Sequence, residues 1–250
     1  MDLPLRYAIF VLGAGLILAV GAGGQTQTRE VAHPPIKAAN AWMKVPMDAG
    51  APDDLIPYVR HLRDEFWDNQ LGHFGVLTPK TTVHSSSGDS GYQPHDIPDL
   101  LPGQALFIVT FRRYRTALTP SGRAVYTDMA FTVDHLFRDA IRGHAFTGTE
   151  ITVSVPGGTV RTGDGQIISF LTDPEADFAE PGKTYLLMTH YQADGDFYIG
   201  GDPDWDLSDG TVRVNSPQAR DRIARGDSKI NGLSKQELIV LLDQRFSGKR

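Results

Sequence analysis

Apolar positions along this chain recur with two different periods, and the change of period divides it. From Asp53-Asp54-Leu55-Ile56-Pro57 onward, Ile56, Val59, Leu62 and Phe66 recur at steps of three or four residues, with Arg60, Arg63 and Asp64 between them. That spacing predicts an amphipathic helix ending near Gln70-Leu71-Gly72. An Asp serves as its N-cap, and Pro57 falls in the first turn, where a missing N–H costs little. From Ala105 the period becomes two. Ala105–Tyr114 and Val125–Phe137 are rich in β-branched and aromatic residues and flank Thr119-Pro120-Ser121-Gly122, the pattern of a long hairpin. In its second strand Met129, Phe131, Val133 and Phe137 share one face and Asp128, Thr132 and Asp134 the other, which predicts one core side and one wet side.

Glu150–Val155 alternates in the same way before Pro156-Gly157-Gly158, and Thr184–Tyr191, Asp196–Gly200 and Thr211–Val214 complete six short strands. Strands of this length with turn signals between them predict an antiparallel barrel or sandwich. The chain then closes with Ser234-Lys235-Gln236-Glu237, a capping box, ahead of Leu238, Ile239, Leu241, Leu242 and Phe246, whose apolar stripe is expected to dock on the strands. Residues 78–103 are dense in Pro, Gly and Ser, which predicts a linker or a long loop.

The hairpin ending in Val125–Phe137, then Pro156-Gly157-Gly158, the Gly182–Met188 segment and the strand at Asp196–Gly200 form an order that resembles a group of exported proteins of environmental bacteria, acidobacteria in particular. The likeness covers roughly residues 104–246 and brings no catalytic residues with it. More loosely, strand order and size are similar to the OB-like barrel of netrin and tissue-inhibitor modules. This chain has no cysteine and so none of their disulfides, and their inhibitor function is not carried over. The resemblance refines the expected fold to a mainly β chain: a small antiparallel OB-like barrel or sandwich of six strands, with an N-terminal amphipathic helix and a C-terminal helix.

Composition narrows the chemistry. With 250 residues, 40% of them hydrophobic, the chain is long enough to bury a core. Absent cysteines exclude thiol nucleophiles and Cys-ligated metal sites, and a net charge of -6 argues against generic phosphate-backbone binding. Ala8–Val20 is a run of 13 apolar or small residues behind Arg6 and ahead of small residues at Ala19/Gly21 and Ala22/Gly24. That is the form of a signal-peptide core, too short to span a bilayer comfortably. The expected organisation is a signal peptide over 1–24, a helical segment and linker over 25–103, a β-barrel domain over 104–215, and a tail over 216–250 carrying the helix 234–246. Export would deliver the domain to the periplasm or the medium, with a membrane contact only through an uncleaved signal segment.

Few residues offer chemistry. Asp194, Asp196, Asp202, Asp204, Asp206 and Asp209 form an acidic run, and Asp202, Asp204 and Asp206 are the candidate calcium ligands, since hard cations take several carboxylate oxygens from a flexible loop. The EF-hand template fails here: counting from Asp202, Leu207 stands where Gly is needed and Arg213 where Glu is needed. The alternative is that Asp194-Gly195 and Asp209-Gly210 are turns and the rest is solvated. Gly88-Asp89-Ser90-Gly91 resembles a chymotrypsin-type nucleophile loop, but Tyr92 follows it and it precedes most of the strands. The eight histidines, at 33, 61, 73, 84, 95, 135, 144 and 190, show no metal-pair spacing. In Phe111-Arg112-Arg113-Tyr114-Arg115 a strand alternation divides the basic residues between two faces, against nucleic-acid binding. Charge segregates, with net -10 over 162–212 and net +5 over 213–250, so the tail is expected to lie against the acidic loops.

These observations favour a non-catalytic exported β-barrel module with a binding or structural role at the bacterial cell envelope, its partner a protein or glycan of that envelope. The competing expectation is a hydrolase or metal-dependent enzyme with a site built from the Asp194–Asp209 loop and the strand histidines His135 and His190.

Overall fold

A computed structural model describes residues 46–48, 55–79, 82–85, 100–172, 179–200, 205–215 and 229–246. The signal segment, Asp53, Asp54, the Gly88–Gly91 tetrad, Asp202 and Asp204 lie outside the described residues, and the helix that begins at Pro57 has Ile56 as its N-cap in place of the expected Asp, with no side-chain cap. In chain order the elements are β1 (Met47–Asp48), α1 (Pro57–Leu71), β2 (Thr82–Ser85), β3 (Gln104–Leu118), β4 (Val125–Arg138) and β5 (Glu150–Pro156). There follow β6 (Gly158–Arg161), β7 (Ile167–Thr172), β8 (Thr184–Gln192), β9 (Phe197–Gly200), β10 (Trp205–Asp206), β11 (Arg213–Val214) and α2 (Lys235–Phe246).

The fold is mainly β, in sheets of seven and four strands. Within the larger sheet β3 pairs with β4, β4 with β5, β5 with β9, β9 with β8, and β8 with β3, so hydrogen bonding returns to its starting strand in a barrel-like ring. Every step is antiparallel except β5–β9. Closure is partial because β8 shares one edge: its residues 189–192 pair with β9, while Tyr185 and Leu186 pair with β10. The smaller sheet, in the order β1-β6-β7-β2, holds two parallel pairs.

The chain passes from the ring into the smaller sheet at Pro156-Gly157-Gly158, with φ of 104° and 131° at the two glycines. A Cβ on Gly158 would lie 2.4 Å from Thr116 Cγ2 and 2.7 Å from Thr127 Oγ1, so only glycine fits this crossing.

Three cores result. The ring interior holds Phe107, Phe111, Phe131, Val133, Val153 and Leu187. Outside the ring, α2 packs Leu238, Leu242 and Phe246 against Leu106, Ile108, Phe137 and Leu186. On another outer face Trp67 and Leu71 of α1 join Val125, Tyr126, Val160 and Phe170.

Several expectations need correction. Eleven strands are described rather than six, because two-residue edges and the parallel partners carry almost no local signal. The stretch read as linker, 78–103, contains β2, which pairs with β7. Thr211–Val214 contracts to Arg213–Val214, with Thr211 bridging Ser234 instead. β4 is buried on both faces from Val125 to Phe131, so Asp128 is not wet: it is 9% exposed and lies beneath α1. Phe137 leaves the face of Met129, Phe131 and Val133, because register shifts at Ile108/Val109 and Leu106/Phe107 turn it toward α2. The deepest correction concerns α1. Ile56 is exposed, whereas Arg63 and Asp64, placed by the pattern between apolar positions, are buried.

The C-terminal capping box forms as expected. Ser234 N–H donates to Glu237 Oε2 at 2.8 Å and Glu237 N–H donates to Ser234 Oγ at 3.2 Å, which holds the Glu237 carboxyl below its usual range.

Candidate functional site

The most elaborate polar arrangement is the seat of α1 on the ring, and at its centre is Arg63. Its Nη1 donates to Asp128 Oδ2 at 2.6 Å, and its Nη2 donates to the carbonyls of Gly195 and Asp196 at 3.0 and 3.1 Å. The guanidinium also stands over the Phe197 ring, 4.9 Å from the centroid. A carboxylate, two carbonyls and an aromatic face are complementary to a planar guanidinium, which donates in a fork and stacks on rings. The ring thus forms an arginine cradle, with α1 supplying the arginine.

Local backbone geometry builds the two carbonyl acceptors. The β8–β9 turn spans residues 193–196, and Asp196 is the one non-glycine residue with positive φ among those described, at 49°. Aspartate tolerates this left-handed conformation better than most residues. Gly195 precedes it because a Cβ there would lie 2.5 Å from the Phe197 ring.

From the outer side, the same aspartate is held by a second cluster. Asp196 Oδ1 accepts from His144 Nε2 at 3.0 Å and from Tyr191 OH at 2.9 Å. A carboxylate only accepts, so His144 Nε2 carries a proton, and His144 Nδ1 is hydrogen-bonded to Tyr198 OH at 3.1 Å. Burial, followed by Asp196, pushes the Tyr191 phenol up to about 12. Burial also raises the Tyr198 phenol. Asp139 Oδ2 in turn accepts from the backbone of His144 and Ala145. Both ring nitrogens of His144 are therefore committed to holding the turn.

The rest of the seam is equally specific. Arg60 donates to the Tyr126 hydroxyl, which donates to Asp64 Oδ1 at 2.7 Å. Trp67 Nε1 donates to Ser154 Oγ at 2.9 Å. Asp68 Oδ1 accepts from Thr119 and Ser121 in the β3–β4 turn. Burial raises the Asp64 carboxyl above its ordinary value, partly opposed by the Tyr126 hydrogen bond and by Arg60. Desolvation and Asp128 raise the Tyr126 phenol.

Residues singled out from sequence lie elsewhere. Asp206, the described member of the candidate calcium set, accepts from Ser208 N–H at 2.8 Å and stands 3.9 Å from Lys183 Nζ. Asp194-Gly195 and Asp209-Gly210 lie in turns, and Asp209 pairs with Arg213 at 2.7 Å. His135 meets Asp243 of α2 at 3.1 Å, and His190 lies against Gly103. Among the described residues no group of three or more His, Asp or Glu side chains is placed to hold a metal ion. The sequence pattern did not reveal Arg63, Asp128, His144, Tyr191 or Tyr198 as a site. The nearest local signal was the Asp194-Gly195-Asp196 turn beside an aromatic.

Comparison with family models, curated proteins and solved structures finds no match to this chain.

Proposed function

We propose that this chain is an exported, non-catalytic binding module of the bacterial cell envelope, built on an OB-like barrel of the kind seen in acidobacterial exported proteins. The arginine cradle carries this reading: the ring already binds a polypeptide helix through side-chain-specific contacts, as a recognition surface does. The pairing order β3-β4-β5-β9-β8, with its single parallel step, supports the OB-like assignment. In such barrels the second and third strands and the turns flanking them form the ligand face. Here that face is β4, β5 and the β3–β4 and β8–β9 turns, the surfaces α1 contacts. The envelope assignment rests on the Ala8–Val20 run, and the partner is a protein or glycan found there.

Metal analysis of the purified chain, paired with a hydrolase substrate panel, tests the reading. Neither stoichiometric metal nor turnover is expected, and the two together would establish the metal-dependent hydrolase in its place. Mass spectrometry of protein from the native host should find a mature start near Ala22 or Gln25, and an intact Met1 in soluble cytosolic protein would refute export.

A further inference from the structure

We propose that the cleft between α2 and the segment 229–233 is a binding site for a straight-chain carboxylate, an anionic head on one alkyl chain. The cleft shares no residue with the arginine cradle, so it extends the binding-module reading without resting on it.

Consider first the walls. The cavity measures about 460 Å³, within the range of about 300–1,000 Å³ typical of small-molecule sites. One wall is a stripe of α2, Glu237, Leu241 and Arg245, whose spacing aligns them along one helix face. The facing wall carries Lys229, Ile230 and Leu233. Backbone bonds fix that wall before any ligand arrives: Gly232 N–H donates to the Val212 carbonyl and Val212 N–H to the Leu233 carbonyl, both at 2.8 Å. Ile230 and Leu242 belong to the buried core beneath, whereas Leu233 is half-buried and Leu241 is 43% exposed. An alkyl chain laid in the cleft would take Leu241 out of water, and that burial drives binding.

Charge selects the head group. Lys229 and Arg245 against the one carboxylate of Glu237 leave a single net positive charge on the walls, which matches a monoanion better than a dianionic phosphate monoester. The negative group is also occupied, because Glu237 Oε2 accepts from Ser234 N–H and from the Ser234 hydroxyl, each at 2.8 Å. Arg245 stands about 12 Å further along the helix and marks the head-group end, where a guanidinium can take a carboxylate through paired N–H donors. That distance is the length of an extended chain of roughly ten carbons, laid from Arg245 past Leu241. Around the cleft the same sign prevails, since residues 213–250 carry net +5. An anion is therefore drawn to this face of the molecule and repelled from the acidic loops.

Decanoate and decyltrimethylammonium share a chain and differ in the sign of the head, and titration calorimetry of the full chain with each tests the site. Decanoate should bind one-to-one with a Kd of about 1 mM or tighter, and about tenfold or more tightly than the cation. The Lys229→Gln/Arg245→Gln variant should weaken decanoate about tenfold or more, because charged hydrogen bonds are lost, and Leu241→Asp should abolish binding by placing a carboxylate against the alkyl chain. All three side chains are exposed, so these replacements leave the core intact, and the comparison of heads needs only the parent chain. No decanoate binding, equal affinity for the two heads, or affinity that either folded variant leaves untouched would overturn the proposal. A parent dimer that Leu241→Asp splits, with no decanoate bound, would give the cleft to a second copy instead. Failure of decanoate leaves the module reading standing, whereas turnover with stoichiometric metal removes that reading and not this site.

Discussion

Helix α2 meets the ring with Leu238, Leu242 and Phe246, all buried against Leu106, Ile108 and Phe137, and its polar contacts, His135–Asp243 and Lys235–Asp134, lie at the rim. Helix α1 meets the same ring with Arg63 and Asp64 buried beside Trp67 and Leu71. The first contact is non-directional and follows apolar area removed from water. The second depends on named donors meeting named acceptors, so losing one partner leaves a charge stranded in low dielectric. Two helices of similar length can thus share a scaffold while differing in what they contribute: α2 mainly stability, α1 mainly specificity.

The comparison breaks most sharply at Asp128. Asp128→Ala leaves Arg63 buried opposite no carboxylate and should cost about 3–5 kcal/mol in urea unfolding. The double replacement Arg63→Met/Asp128→Leu should recover most of that loss, because apolar side chains carry no desolvation penalty. A cost below about 1 kcal/mol for Asp128→Ala would mean the pair does not hold α1. On the opposite helix, Leu242→Ala should cost about 2–5 kcal/mol, with no polar substitution at that position able to restore it. A change under about 0.5 kcal/mol would make α2 a surface appendage.

A pH series sharpens the contrast further. Asp64 titrates above its ordinary 3.8 in the folded chain because it is buried, facing Tyr126, Arg60, Asp68 and Asp128. A carboxyl raised in this way contributes stability that is fully present below 3.8 and is lost as pH rises through the raised value. The Asp64→Asn variant cannot ionise, so relative to the parent it should gain stability as the pH is brought from acid to neutral. Parallel melting profiles for the two would assign the pH dependence to another group. The smallest effect is expected at the acidic run. Calcium should leave the melting temperature of the parent and of an Asp202→Asn/Asp204→Asn/Asp206→Asn variant unchanged. A bound ion at a hundredfold excess over Kd would instead stabilise the parent by about 2.7 kcal/mol, and the triple variant would lose that gain.

Legibility in the sequence tracked the range of the interaction. The hairpin of Gln104–Leu118 and Val125–Arg138 and the capped helix Lys235–Phe246 were readable because alternation and the Ser234/Glu237 box are set within a few residues. The β6–β7 pair was missed: Gly158–Arg161 spans only four residues, and its register with Ile167–Thr172 is set by sheet partners. Periodicity also failed at the candidate site. It treated Arg63 and Asp64 as interruptions of an apolar stripe, since nothing local indicates that an acceptor set waits on the ring.

By itself the sequence determined the β-rich class, the long hairpin and the apolar seam of α2, all consequences of side-chain period. Tertiary structure alone decided that the ring returns on itself through β9, that the register shifts in β4 send Phe137 outward, and that α1 turns a charged face inward. The reason is energetic. An apolar residue gains from leaving water almost wherever the fold takes it, whereas a buried charge is tolerable only where its partners stand. For Arg63 those partners are Asp128, Gly195 and Asp196, brought together by strand pairing that no local pattern encodes.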